Sequence, residues 1–185
     1  MSKTRLVKEI SQFTAPQLVE LICDAYDAKG VTAKEYFEYY LNPDEQRLYG
    51  KSVEGIVKCM SRVKRRRAAF RISKVKELIA RMDAFKVDPA LVARAMIIAV
   101  GEAVDVSCGY TFTEAQNSGV VRFFNAMLVY ADTHGLLATL LPDIEESITP
   151  SRRHTINRAL PGSLRSALAD YDPFSTIGAQ ATGLP

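Results

Sequence analysis

Tryptophan is missing from this 185-residue chain, histidine occurs only twice and cysteine only three times. His134 and His154 have no suitably spaced cysteine or carboxylate partners, so they make no zinc site and read as structural. Cys23, Cys59 and Cys108 form no CxxC pair, and each sits within an apolar pattern. Buried free thiols in a reducing cytoplasm are therefore expected, with no disulfide framework and no cysteine-held metal. Long apolar runs are also missing. The longest, Ala95 to Val100, is far too short to span a bilayer, and the opening Met1-Ser2-Lys3-Thr4-Arg5 leads into no signal-peptide core. The expectation is a cytoplasmic protein without membrane contact and without a cofactor. No Walker loop, GxSxG elbow or HExxH pair occurs, so nothing recommends an enzyme and the question of catalysis stays open.

No convincing strand pattern appears; almost every segment repeats at helical period. Thr14 caps a helix with Pro16 in its first turn, and Leu18, Leu21, Ile22 and Ala25 form one face until Gly30. Thr32 caps a second helix over 33–42, ended by Pro43. Asp44 opens a longer one in which Val53, Ile56, Val57, Met60 and Val63 recur at three and four. Ile72, Val75, Leu78, Ile79, Met82 and Phe85 mark another. Asp88-Pro89 starts a helix to about Ala103, with 104–112 as a loop. Thr113 caps a helix carrying Val120, Phe123, Phe124, Met127 and Tyr130, closed by Gly135. Shorter helices are expected over 136–148, 150–160 and 163–171, the last two divided by Pro161-Gly162. The fold class is all-α: antiparallel helical hairpins in a bundle or short HEAT-like solenoid, one domain over 1–171 and a C-terminal tail over 172–185.

Acids are absent from residues 58–76, which hold nine bases: Lys58, Arg62, Lys64, Arg65, Arg66, Arg67, Arg71, Lys74 and Lys76. The chain carries +3 overall, so the other 15 bases and 21 acids leave −6 outside this stretch. A positive island on a mildly acidic body draws phosphates or an acidic partner. Lys58, Arg62 and Lys64 fall near a helix C-terminus, where cations are favoured. Arg71, Lys74 and Lys76 fall near the following N-terminus, where the dipole disfavours them unless an anion sits there. A solvated helix junction accounts for the same run. A second acid-free stretch, Ser147 to Ala169, holds Arg152, Arg153, Arg158 and Arg165, and would complete a groove if it met the first. The candidate anion-binding residues are Lys64, Arg65, Arg66, Arg67, Arg71, Lys74, Arg152 and Arg153.

Two further groups compete. Tyr36, Phe37, Tyr39, Tyr40 and Leu41 form a wide aromatic arc, read as core with hydroxyls at its edge, or as a stacking platform for bases. Glu102, Asp105 and Glu114 cluster near one loop, read as helix-end solvation and capping, or as a cation site or acid/base pair.

The run Tyr36-Phe37-Glu38-Tyr39-Tyr40-Leu41-Asn42-Pro43 resembles a signature of a bacterial helical family of unknown function. The opening Ser2-Lys3-Thr4 through Leu18-Val19 is similar to that family's start, as are the stretches around Val100-Gly101-Glu102 and Phe112-Thr113. Members often carry a tryptophan-containing segment near the C-terminus, where this chain has Ser151-Arg152-Arg153-His154. The resemblance implies an all-helical architecture and supplies no activity. The functional expectation is a non-catalytic interaction protein that binds a protein partner through a helical face or the basic island. The alternative is a nucleic-acid-binding protein contacting phosphates through 58–76.

Overall fold

The computed structural model describes residues 7, 8, 10–27, 44–64, 67–151, 156, 157 and 159–171, with only the backbone of 24–27. The chain divides into two compact units, Met1–Asp44 and Glu45–Pro185. Among the described residues there are seven helices and one two-stranded ribbon, so the fold is all-α with almost no strand. The expected helix over 33–42 with its aromatic arc, His154 and the tail 172–185 lie outside the described residues.

In the first unit, α1 spans Ala15–Asp27. It starts just after Thr14 as expected, but the capping bonds run the other way: Gln17 Oε1 accepts from the Thr14 N–H at 2.9 Å and from the Thr14 hydroxyl at 3.0 Å. Leu21 and Ile22, expected on a buried face, are exposed, and so is Cys23, which is therefore no buried thiol.

The second unit runs α2 (Glu45–Met60), β1 (Val63–Lys64), β2 (Arg67–Ala68), α3 (Ile72–Ala84), α4 (Pro89–Gly109), α5 (Glu114–Thr133), α6 (Leu137–Ser147) and α7 (Ala159–Ala169). Helix α4 is the organising element and touches α2, α3, α5, α6 and α7. Asp88 caps it, its carboxylate accepting from the Ala90 N–H at 2.8 Å, with Pro89 in the first turn. Twelve of its 21 residues are buried. Small side chains, Ala93, Ala95, Ala99 and Ala103, let its neighbours approach closely. Around it Ile56, Met60, Met82, Phe124, Met127, Leu128, Leu140, Ile144, Leu160 and Leu164 are essentially inaccessible. Full burial of a large apolar side chain contributes about 1.5–3 kcal/mol, so this layer holds the unit together.

Three local expectations are corrected. Helix α4 continues through Gly109 rather than stopping near Ala103, because Val104, Val106, Ser107 and Cys108 are buried as well. A helix covered on most sides shows no amphipathic period to read. The 150–160 helix is absent at 150, 151, 156 and 157, and 159–160 instead open α7; the Ile156 and Asn157 N–H groups donate to the Cys108 and Ser107 carbonyls at 3.3 and 3.1 Å. These bonds satisfy two of the carbonyls that the end of α4 leaves open. Pro161-Gly162 does not divide helices but sits inside the first turn of α7, where the N–H that proline lacks has no intrahelical partner anyway. Among the described residues, no helix is long and apolar enough to cross a membrane.

Candidate functional site

The basic stretch folds as a ribbon rather than a bare helix junction, so the expectation of no strand fails here. Helix α2 ends at Met60, and Ser61 closes it, its N–H and hydroxyl both donating to the Val57 carbonyl at 2.8 and 2.7 Å. Val63, expected to continue the α2 repeat, instead begins β1. β1 and β2 pair antiparallel with Val63 opposite Ala68 and Lys64 opposite Arg67. The Ala69 N–H to Arg62 carbonyl bond, 2.8 Å, extends the ribbon, and the Arg71 N–H returns to the Cys59 carbonyl at 3.1 Å.

The body grips β2 from the other side. Arg67 forms a parallel bridge with Thr111. Thr113 and Gln116 form a capping box at the start of α5, and the same Gln116 amide donates from Nε2 to the Ala68 carbonyl at 2.9 Å. Beyond β2, the Phe70 ring meets Phe112 with centroids 5.0 Å apart and planes tilted by 60°. Buried on its inner side at Ala68 and tied by its backbone, the ribbon is a fixed mount for charged side chains.

Those side chains face water. Lys58, Arg62, Lys64, Arg67, Arg71, Lys74 and Lys76 are all exposed. Lys64 and Arg67 are cross-strand partners, which puts two like charges opposite each other, an unfavourable pairing by itself. Arg71 is the N-cap of α3, where its side chain makes no capping bond and the first turn carries no acid. Lys74 pairs with Glu77 at 2.6 Å. Arg65, Arg66, Arg152 and Arg153 lie outside the described residues. The flanks of the second basic stretch are fixed, however. The Ser151 hydroxyl donates to Asp105 Oδ1 at 2.7 Å, and Ile156 and Asn157 bind the carbonyls of Cys108 and Ser107. Ser61 and Val63, at the root of the ribbon, line a cavity of about 500 Å³ together with Glu102, Asp105, Val106, Gly109 and Tyr110. The root of the ribbon and the described flanks of the second basic stretch thus both lie near the C-terminal end of α4.

That cavity also answers the carboxylate question. Glu102 and Asp105 share it, and burial first, then the Asp105 charge, push the Glu102 carboxyl above its ordinary range. Glu114 does not join them; it is exposed in the first turn of α5. Among the described residues no group of three or more histidine, cysteine or acidic side chains could hold a metal ion. His134 caps the C-terminus of α5 with its ring 4.4 Å from that of Tyr130.

A second cavity of about 350 Å³ lies beside the ribbon, lined by Phe70, Ile72, Lys76, Ala115, Gln116, Gly119 and Arg122. Sequence reasoning missed it. Phe70 stands in the basic stretch, but nothing in the sequence links it to Arg122, which only the packing of α3 on α5 brings near.

The chain belongs to a family of unknown function, DUF6155, whose model matches residues 1–153. The match takes in the ribbon and α1 through α6. No curated protein and no solved structure matches the chain.

Proposed function

We propose that this member of the family is a non-catalytic binding protein that holds a nucleic-acid backbone against its basic ribbon. The observation that carries the reading is the exposed, cross-strand pairing of Lys64 with Arg67, with no carboxylate bridging them among the described residues. A rigid ribbon that sets like charges side by side gains most when an anion enters between them. Arg62, Arg71 and Lys58, all exposed, extend the positive surface from its base. Anchoring of the Arg152-Arg153 flanks at the same end of α4 supports a wider contact.

A protein partner docking on an apolar helical face is less favoured by the second unit. Among its described residues, only Leu141 and Ile156 are large apolar side chains that stand exposed. An acidic protein would satisfy the same cations, and salt and competition separate the two cases.

The experiment is fluorescence anisotropy with labelled single- and double-stranded DNA and RNA at low and physiological salt. The wild type is compared with a Lys64→Glu, Arg67→Glu double variant. Binding is expected to fall linearly on a log–log salt plot, by about 0.9 per phosphate contact on a duplex, and to weaken at least about tenfold in the double variant. No binding at low salt, or binding untouched by the charge reversal, would overturn the reading.

A further inference from the structure

We infer that the cavity beside the ribbon is a nucleotide subsite that makes the protein prefer single strands, seating one unstacked base against Phe70. The inference rests on the polyanion reading above and adds to it which form of nucleic acid is bound and where.

Three cavities on the second unit differ in charge. One of about 480 Å³ is lined by Tyr49, Arg94, Ile97, Ile98, Gly101, Asp143, Glu146 and Ser147, with acids outnumbering the base. The cavity at the root of the ribbon holds Glu102 and Asp105 and no base. The cavity beside the ribbon is lined by two bases, Lys76 and Arg122, and no acid. It alone of the three suits an anion. It also has an aromatic wall in the half-buried Phe70, whose contact with Phe112 at 5.0 Å fixes the ring. Ile72 and the open backbone of Gly119 give it an apolar floor. A Cβ built on Gly119 would come within 3.2 Å of the Ile72 Cδ1 methyl, so α3 and α5 approach closely there.

An aromatic wall beside two exposed cations matches a nucleotide unit: the base takes the ring and the adjoining phosphate takes Lys76 and Arg122. Phe70 lies three residues beyond Arg67 along the chain and two beyond the end of β2, which places the cavity close to the ribbon. In a duplex the bases are stacked and paired, and their faces are not free to enter such a site. A single strand offers them at little cost. Gln116, which also lines the cavity, has its amide oxygen taken by the Thr113 N–H and its amide nitrogen engaged with the Ala68 carbonyl. Stacking and charge, not a base-edge code, would therefore govern binding, and modest sequence preference follows.

The test uses the full chain, a labelled thymidine homopolymer and a duplex of mixed sequence, each about twenty nucleotides or base pairs long, a length that spans a typical single-strand site. Three proteins are compared: wild type, Phe70→Leu, which keeps an apolar side chain against Phe112, and a Lys76→Glu, Arg122→Glu double variant confined to exposed side chains. Thermal unfolding by circular dichroism confirms that each is folded. Phe70→Leu is expected to weaken single-strand binding about tenfold and leave duplex binding unchanged, since base–aromatic stacking is lost only from the strand. The double charge reversal weakens the single strand at least as much and flattens its salt dependence. Single-strand affinity of Phe70→Leu equal to wild type, or equal losses for single strand and duplex, would overturn the subsite while leaving ribbon binding intact. Absence of any wild-type binding at low salt would overturn both.

Discussion

Gln116 is the side chain whose removal tests most directly how the ribbon is held. Its Oε1 accepts from the Thr113 N–H at 2.8 Å, and its Nε2 donates to the Ala68 carbonyl at 2.9 Å in a partly buried contact. Gln116→Ala deletes both bonds. At about 0.5–1.5 kcal/mol net for each, the pair contributes about 1–3 kcal/mol. Alanine's better helix propensity returns a few tenths, which leaves an expected loss of about 0.7–2.7 kcal/mol. Gln116→Glu separates the cap from the tie. It keeps an acceptor for Thr113 and adds a negative charge to the first turn of α5, favourable by about 0.3–1 kcal/mol. It also sets a carboxylate oxygen against the Ala68 carbonyl, and a carbonyl left without its donor costs about 1–3 kcal/mol. If the tie to Ala68 matters, the glutamate variant is as unstable as the alanine variant despite its better cap. Urea unfolding followed by circular dichroism gives the stabilities, and hydrogen exchange at the Ala69 N–H, which donates to the Arg62 carbonyl, reports on the ribbon itself. A glutamate variant as stable as wild type, with Ala69 still protected, would refute the reasoning and reduce Gln116 to an ordinary capping residue.

Two other predictions concern pH. The Glu102 carboxyl is raised above the ordinary 4.5 by burial and by Asp105, so the folded chain keeps a proton there at pH values where the unfolded chain has released it. Stability therefore falls as pH rises through that window, and Glu102→Gln should be the more stable protein at neutral pH, with the difference closing below 4.5 in thermal melts. A difference that does not change with pH would rule this out. The Tyr130 hydroxyl, donating to Asp83 Oδ1 at 3.3 Å, is pushed up from 10.0 to about 12 by burial first and by Asp83 next. Its contribution is intact below 10.0 and lost as pH climbs toward about 12, so subtracting the ultraviolet titration of Tyr130→Phe from that of wild type should isolate one late-ionising phenol. A difference curve centred near the ordinary 10.0 would contradict it.

Much of the helical plan is legible because its signals are local. Asp88-Pro89 starts α4, Thr113 starts α5, and Gly135, at a φ of +67°, follows the end of α5. The failures have physical causes. The last turns of α4 are buried on most sides, which erases the period that marks a surface helix. Val63 lies three residues beyond Met60 and fits a helical repeat as well as a strand, and strands of two residues are too short for alternation to appear. Cys23 sits among apolar residues yet is exposed, because neighbours in sequence say nothing about which side of a helix is covered. For the site, Lys64, Arg67 and Arg71 were visible in composition alone, whereas the cavity of Phe70 with Arg122 needs two helices brought together across some fifty residues of chain.

The charge run also explains why the chain forms a ribbon there. Continued as a helix past Met60, it would stack Lys58 on Arg62, Arg62 on Arg66 and Arg67 on Arg71 at four-residue spacing, with Lys64 and Arg67 at three. Each like-charge pair on a helix costs about 0.2–0.5 kcal/mol, and no acid in the stretch offsets any of them. Ending α2 at Met60 and restarting at Ile72 avoids that helical stacking, and leaves Lys64 against Arg67 as the cross-strand contact between like charges among the described residues. The backbone ties at Ala68, Thr111 and Cys59 hold that remaining repulsion in place. On the proposed reading, a ribbon held by backbone ties with like charges already opposed would take an anion without having to reorganise. Salt, which screens the repulsion, should therefore stabilise the ribbon in the free protein, read as slower hydrogen exchange at the Ala69 N–H, while it weakens the grip on a polyanion.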